Sequence, residues 1–111
     1  MGLLMVKVKV GKKSEIAVNS MIGVSAEGRM ILVANVDGKI YSVQGLCTHQ
    51  GGHLYEGKLM GNVVKCPRHG SEFDLTTGRN LKGPWIPLAK KPADLKMYNV
   101  IVEGDDVYVE V

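Results

Sequence analysis

Val6, Val8 and Val10 alternate with Lys7 and Lys9, the period-two pattern of a strand with one dry face and one wet face. The same alternation returns at the other end of the chain. There Val107, Val109 and Val111 share one side of a run that follows Tyr98 to Val102 across a tight Glu103-Gly104-Asp105 turn. Between these ends, Met30 to Val36 and Lys39 to Val43 flank Asp37-Gly38, a dipeptide that supplies the positive φ angles of a primed hairpin turn. A second hairpin is predicted over Lys58 to Lys65, turning at Gly61-Asn62. Helical periodicity is nearly absent, so the chain reads as all-β.

Composition divides this sheet-forming chain rather than extending it. Several of its 14 glycines fall between residues 45 and 83, and the same stretch holds all three histidines and both cysteines. We expect a single domain over residues 1–111, with an aliphatic base at about 1–44 and 86–111 carrying a Gly-rich, ligand-bearing insert at about 45–85. The net charge of +3, from 14 Lys and Arg against 11 Asp and Glu, is mild and dispersed, which argues against a nucleic-acid partner. The run from Gly2 to Val6 has neither the length nor the charge order of a secretory signal, and nothing approaches the roughly 20 apolar residues of a membrane span. The expectation is a cytoplasmic protein with no membrane attachment.

The chemistry lies in two short clusters, Cys47-Thr48-His49 and Cys66-Pro67-Arg68-His69. Each cysteine has a histidine two or three positions later, so a bound metal accounts for more of these residues than a disulfide between the cysteines does. Two soft thiolates and two imidazoles suit either a structural Cys2His2 zinc-binding module or an asymmetric two-iron, two-sulfur cluster. One Cys and one His from each of two loops favour the cluster, and the C-x-H spacing is unlike the usual zinc-finger spacing. Gly51, Gly52 and Gly70 follow the histidines and lack Cβ atoms, so their amides are expected to approach cluster sulfides as donors. His53 fits no ligand position and is expected to be a solvated or hydrogen-bonded loop residue. Asp74 is expected to cap a turn near Thr76-Thr77-Gly78.

From Cys47-Thr48-His49-Gln50-Gly51-Gly52, through Leu54, Gly57, Gly61 and Val64, to Cys66-Pro67-Arg68-His69-Gly70, and on through Phe73-Asp74, Thr77-Gly78 and Gly83-Pro84, the chain resembles a Rieske-type ferredoxin. The resemblance is to Rieske-type ferredoxins of archaea and to those serving bacterial ring-hydroxylating dioxygenases. The resemblance implies antiparallel sheets forming a sandwich or barrel-like base with an inserted cluster-binding subdomain. It implies one [2Fe-2S] cluster per chain, with Cys47 and Cys66 on the inner iron and His49 and His69 on the outer. Gly51, Gly52, Arg68, Gly70, Ser71, Gly83 and Pro84 would surround it. Gly83-Pro84-Trp85-Ile86-Pro87 matches the family's proline loop, with Trp85 expected to shield the cluster in preference to the alternative, a partner contact.

The departures are informative. Rieske proteins of cytochrome bc complexes carry an extra disulfide-forming cysteine in each ligand loop, and the matching positions here are Gly52 and Arg68. They also use a serine and a tyrosine hydroxyl as donors to sulfur. Ser71 matches the first, while Phe73 replaces the second. Fewer donors stabilise the reduced state less, so the expected potential lies in the lower half of the roughly −150 to +300 mV Rieske range. Two thiolates and two neutral imidazoles around a core of charge +2 sum to zero when oxidised and to −1 when reduced, which suits a partly buried centre. The implied function is a one-electron carrier between a flavin-dependent reductase and a terminal oxygenase or similar acceptor, not an enzyme. After the four ligands only His53 is left, too few residues for the two histidines and a carboxylate of a mononuclear oxygenase iron.

Overall fold

The computed structural model describes residues 5–48, 51–85 and 92–111. Ten strands and two single 3-10 turns appear among them, with no α-helix. Six strands form one antiparallel sheet: β1 (Lys7–Lys12), β2 (Ser20–Ala26), β3 (Arg29–Val36), β4 (Lys39–Gln44), β9 (Met97–Glu103) and β10 (Asp106–Glu110). Their order in space is β1-β10-β9-β4-β3-β2, and the edge strands β1 and β2 approach each other, so the sheet is nearly closed into a barrel. The second sheet is a meander of three-residue strands, β5 (Lys58–Met60), β6 (Val63–Lys65), β7 (Glu72–Asp74) and β8 (Asn80–Lys82).

The predicted hairpins form where the turn chemistry placed them. Asp37 and Gly38 take φ of 52° and 93°, so β3 and β4 pair from Val36↔Lys39 to Ile31↔Gln44 without a register shift. Asn35, buried between the strands, pins this turn: its side-chain amide donates to the Ile16 carbonyl at 2.8 Å and its oxygen accepts from the Gly38 N–H at 2.8 Å. Gly61, at φ 63°, turns the hairpin between β5 and β6.

Strand β3 explains how the two sheets are held together. Ile31 and Val33 face the barrel interior with Val10, Ile16, Ile40, Tyr98, Val107 and Val109. Leu32, Ala34 and Val36 face the other way, into a second core with Val43, Leu54, Val64, Phe73, Leu75 and Leu95. A strand buried on both faces loses its alternation, which is why Met30 to Val36 reads as an unbroken apolar run. Cys47 and Cys66 belong to this second core, so both thiols are anchored at the seam where base and small sheet meet.

Three strands have no counterpart in the sequence reading: β2, β7 and β8. β2 carries Gly23 in its interior, which lowers strand propensity. The reason for that glycine is spatial. A Cβ there would fall 2.5 Å from the Tyr55 ring, so the ring of the ligand-bearing segment lies flat on the backbone of β2. β7 and β8 are too short for a period to register.

Candidate metal centre

The two ligand loops share one backbone design. In the first, the Cys47 N–H donates to the Gly52 carbonyl at 2.7 Å and the Gly51 N–H donates back to the Cys47 carbonyl at 2.9 Å. In the second, the Cys66 N–H donates to the Ser71 carbonyl at 2.8 Å and the Gly70 N–H donates to the Cys66 carbonyl at 3.2 Å. Each loop therefore closes on itself around its cysteine, with a left-handed glycine four residues on, Gly51 at φ 69° and Gly70 at φ 79°. This corrects the expectation for Gly51 and Gly70, whose amides are spent closing the loops rather than reaching toward a sulfide. Each loop carries its histidine at a different offset, two residues after Cys47 and three after Cys66.

The loops stand side by side. A Cβ on Gly52 would lie 3.0 Å from the Cys66 sulfur and 2.9 Å from Cγ of Arg68, so only glycine lets the second loop pass this close to the first. Cys47 and Cys66 are 4% and 3% exposed and form no disulfide. Lying closer to solvent than either cysteine, His69 is half-buried; its carbonyl accepts from the Trp85 N–H at 2.9 Å. Trp85 in turn lies against Gly70, where any Cβ would collide with the indole ring. His49, Gln50 and residues 86–91, including Ile86 and Pro87 of the proline loop, lie outside the described residues.

The remaining expectations divide. Trp85 covers Gly70 but stays 63% exposed, so it is surface as much as shield. Among the described residues a Cβ on Gly83 would meet only Cδ of Pro92, at 3.9 Å. His53 is exposed, stacked on Tyr55 with ring centroids 5.2 Å apart and 3.6 Å from Glu56, as a loop residue outside the ligand set should be. Asp74 caps its turn: Oδ1 accepts from the Thr76 N–H at 2.8 Å, the Thr76 hydroxyl at 2.7 Å and the Asn62 amide at 3.0 Å. Burial pushes its pKa up, but the hydrogen bonds from Thr76, Asn62 and Thr77 outweigh it and hold the carboxyl below its ordinary 3.8.

Two residues that sequence reasoning passed over brace the first loop. The Thr48 hydroxyl donates to the Ala93 carbonyl at 2.6 Å, and the Leu46↔His53 bridge closes the loop's neck. A Cys-x-x-x-Gly spacing in both clusters, Cys47 to Gly51 and Cys66 to Gly70, was the available signal that the two loops share a fold.

The chemistry of the donors fits a sulfur-bearing cluster. Ser71 is 1% exposed, and its hydroxyl has no hydrogen-bond partner among the described residues. A buried unsatisfied hydroxyl costs roughly 1–3 kcal/mol unless something accepts from it. Directly after the second loop, an acceptor sulfide is the group that would. Among the described residues no three His, Cys, Asp or Glu side chains converge on a point where one ion would sit. A dinuclear unit takes its thiolates at one iron and its imidazoles at the other, so such convergence is not what the fit requires.

Comparison with known proteins agrees. Residues 6–99 match the Rieske [2Fe-2S] domain family. The ferredoxin component of the naphthalene 1,2-dioxygenase system of Pseudomonas aeruginosa is 34% identical over 97 residues, covering 87% of this chain and 88% of that one. Among solved structures, a chain in the complex of reduced oxygenase and oxidized ferredoxin in carbazole 1,9a-dioxygenase superposes with TM-score 0.84 at 30% identity, covering 94% of this chain and 92% of that chain. The Sphingomonas yanoikuyae B1 ferredoxin superposes with TM-score 0.81 at 27% identity, covering 96% and 99%. These relatives are ferredoxins, and nothing in the comparisons supports the zinc module weighed from the ligand set alone. The chain belongs to the Rieske [2Fe-2S] family, and it is a ferredoxin-type one-electron carrier rather than an enzyme.

Proposed function

We propose that Cys47 and Cys66 bind the inner iron and His49 and His69 the outer iron of the [2Fe-2S] cluster, and that this ferredoxin passes single electrons from a flavin-dependent reductase to a terminal oxygenase in the cytoplasm. The observation that carries the proposal is the seam itself. Two loops of the same closure meet with Gly52 against the Cys66 sulfur, and the two cysteines are buried in one apolar core. The bound cluster supplies one reversible electron. The protein's residues do the rest. The core around Cys47 and Cys66 keeps water from the thiolate side, and the buried Ser71 hydroxyl is a donor ready for the reduced state. Half-buried His69 leaves an edge toward solvent through which the electron can leave.

On this reading the small sheet and the loops form a cluster-binding subdomain of about residues 45–85, set on a base of about 1–44 and 86–111. Among the described residues no helix is long and apolar enough to cross a membrane, which is compatible with the cytoplasmic assignment. The oxygenase as acceptor is supported by the relatives, which are components of dioxygenase systems.

Ligand replacement tests the assignment. Protein produced with ample iron and sulfide is expected to hold two irons and two acid-labile sulfides per chain. Cys47→Ser, Cys66→Ser, His49→Ala and His69→Ala should each lose most of both. Any of the four that retains a full complement removes its residue from the ligand set.

A further inference from the structure

Trp85 is the one aromatic side chain among the described residues that the fold leaves mostly in water. Phe73 and Tyr98 are buried, while Tyr41, Tyr55 and Tyr108 are half-buried. Nor is the indole loose. Its main-chain N–H is bonded to the His69 carbonyl, and its ring is seated on Gly70, a position that gives up its side chain to receive it. An exposed, held tryptophan beside a candidate iron ligand has the character of an interface anchor, since rigid Trp side chains supply much of the energy at the centres of contacts.

Beside the indole lies a recess of about 390 Å3, walled by Trp85, Pro67, Lys58 and Lys65. Lys58 and Lys65 are direct cross-strand partners in the hairpin of β5 and β6, and the Lys65 ammonium lies 5.9 Å from the Trp85 ring. Two carboxylates are near. Glu56 shares the recess but lies 3.6 Å from His53, and Glu72 is the neighbour of Lys65 on its other side, paired also with Lys82. Neither forms an ion pair with Lys58 or Lys65 among the described residues. The Lys65 ammonium thus lies beside an apolar plate at the rim of the ligand loops, and its cross-strand partner Lys58 lines the same recess.

We propose that this recess is the contact for the electron-accepting protein, and that it selects an acidic surface: a carboxylate enters between Lys58 and Lys65 while an apolar neighbour packs on Trp85. The inference rests on the carrier reading above and adds the chemistry of the partner's face. Its electrostatic part weakens as salt screens the lysines.

The test is voltammetry of the cluster-loaded protein on gold coated with monolayers of defined chemistry, paired with a mediated titration in solution. The probes are a carboxylate-terminated layer, a mixed carboxylate and methyl layer, and an ammonium-terminated layer. Fast electron exchange is expected on the two acidic layers and little on the ammonium layer. Lys58→Glu with Lys65→Glu should slow exchange on the carboxylate layer about tenfold or more. Lys58→Glu alone, seven residues clear of the nearest candidate ligand, should slow it in the same direction and stands in if the double variant fails to hold its cluster. Lys12→Glu with Lys39→Glu, the same charge change at the end of the base away from the ligand loops, should leave it unchanged. Trp85→Ala should slow exchange on the mixed layer about fivefold, with little effect on the pure carboxylate layer. Equal exchange on acidic and ammonium layers, or an equal loss from the Lys12 and Lys39 control, overturns the proposal, as does an unchanged Trp85→Ala protein on the mixed layer. A mediated titration that finds no reducible cluster instead overturns the carrier reading beneath it.

Discussion

The six-stranded base and the four-stranded sheet are both antiparallel, yet they are stabilised differently. The base has strands of five to eight residues, an interior filled by Ile31, Val33, Ile40, Val107 and Val109, and one bulge between Lys9 and Gly11. The small sheet has strands of three residues and almost no core of its own. Its Val64 and Phe73 pack into a core that β3 of the base completes. The difference teaches where the stability and the chemistry reside. The ligand loops are short main-chain turns without a hydrophobic centre, and they are held in place by a seam that the base provides.

The substitution that should damage this arrangement most is Phe73→Ala. Phe73 is fully buried in the seam, and removing it should cost about 3–5 kcal/mol. Chemical denaturation should show that loss together with reduced iron content, because the cavity opens beneath Cys47 and Cys66. Next comes Gly23→Ala. Its new methyl would displace the Tyr55 ring from β2, costing about 1–3 kcal/mol by overpacking. The first ligand loop should loosen with it, visible as a broadened EPR spectrum of the reduced protein.

Asp74 sharpens the comparison through pH. Its folded pKa is depressed, so it contributes stability above the ordinary 3.8, and that contribution is lost as pH falls through the lower folded value. Asp74→Ala should cost about 1–2 kcal/mol at pH 7, and the cost should shrink in denaturation measured near pH 3. Ile31→Val, in the barrel interior, should cost only about 0.5–1.5 kcal/mol and leave the reduction potential where it was. Ser71→Ala inverts that pattern. Stability should barely change, since the hydroxyl has no partner among the described residues, while the potential falls by tens of millivolts, about 59 mV for each 1.4 kcal/mol of lost donation to a one-electron centre. If Ile31→Val moved the potential as far as Ser71→Ala does, the division of labour between base and insert would be wrong.

The sequence carried those features whose signal is local. Asp37-Gly38 and Gly61-Asn62 specify their turns by backbone conformation alone, and the valine alternation at both ends marks strands with one wet face. The two Cys-His clusters, proposed above as the ligands, stand out for the same reason, because Cys and His at these spacings have few other uses. What escaped depends on tertiary neighbours. Gly23 looks like a strand breaker until Tyr55 is seen lying on it, and β7 forms because β6 offers an edge to pair with, as β8 does because β7 offers the next. The sequence suggests Gly51 and Gly70 as donors to the cluster, whereas their N–H groups bond to the cysteine carbonyls, a closure that only the folded loop displays. Trp85 is expected as a cover, yet its ring rests on Gly70, 15 positions away, and stays mostly exposed.

We expect the cluster to take up one electron at a potential in the lower half of the Rieske range. A potentiometric titration followed by EPR tests it most directly. A signal should appear on reduction, follow a one-electron Nernst curve and have a midpoint below about +75 mV, the middle of the Rieske range. A protein that stays EPR-silent under dithionite, or one that titrates near the top of that range, would contradict it.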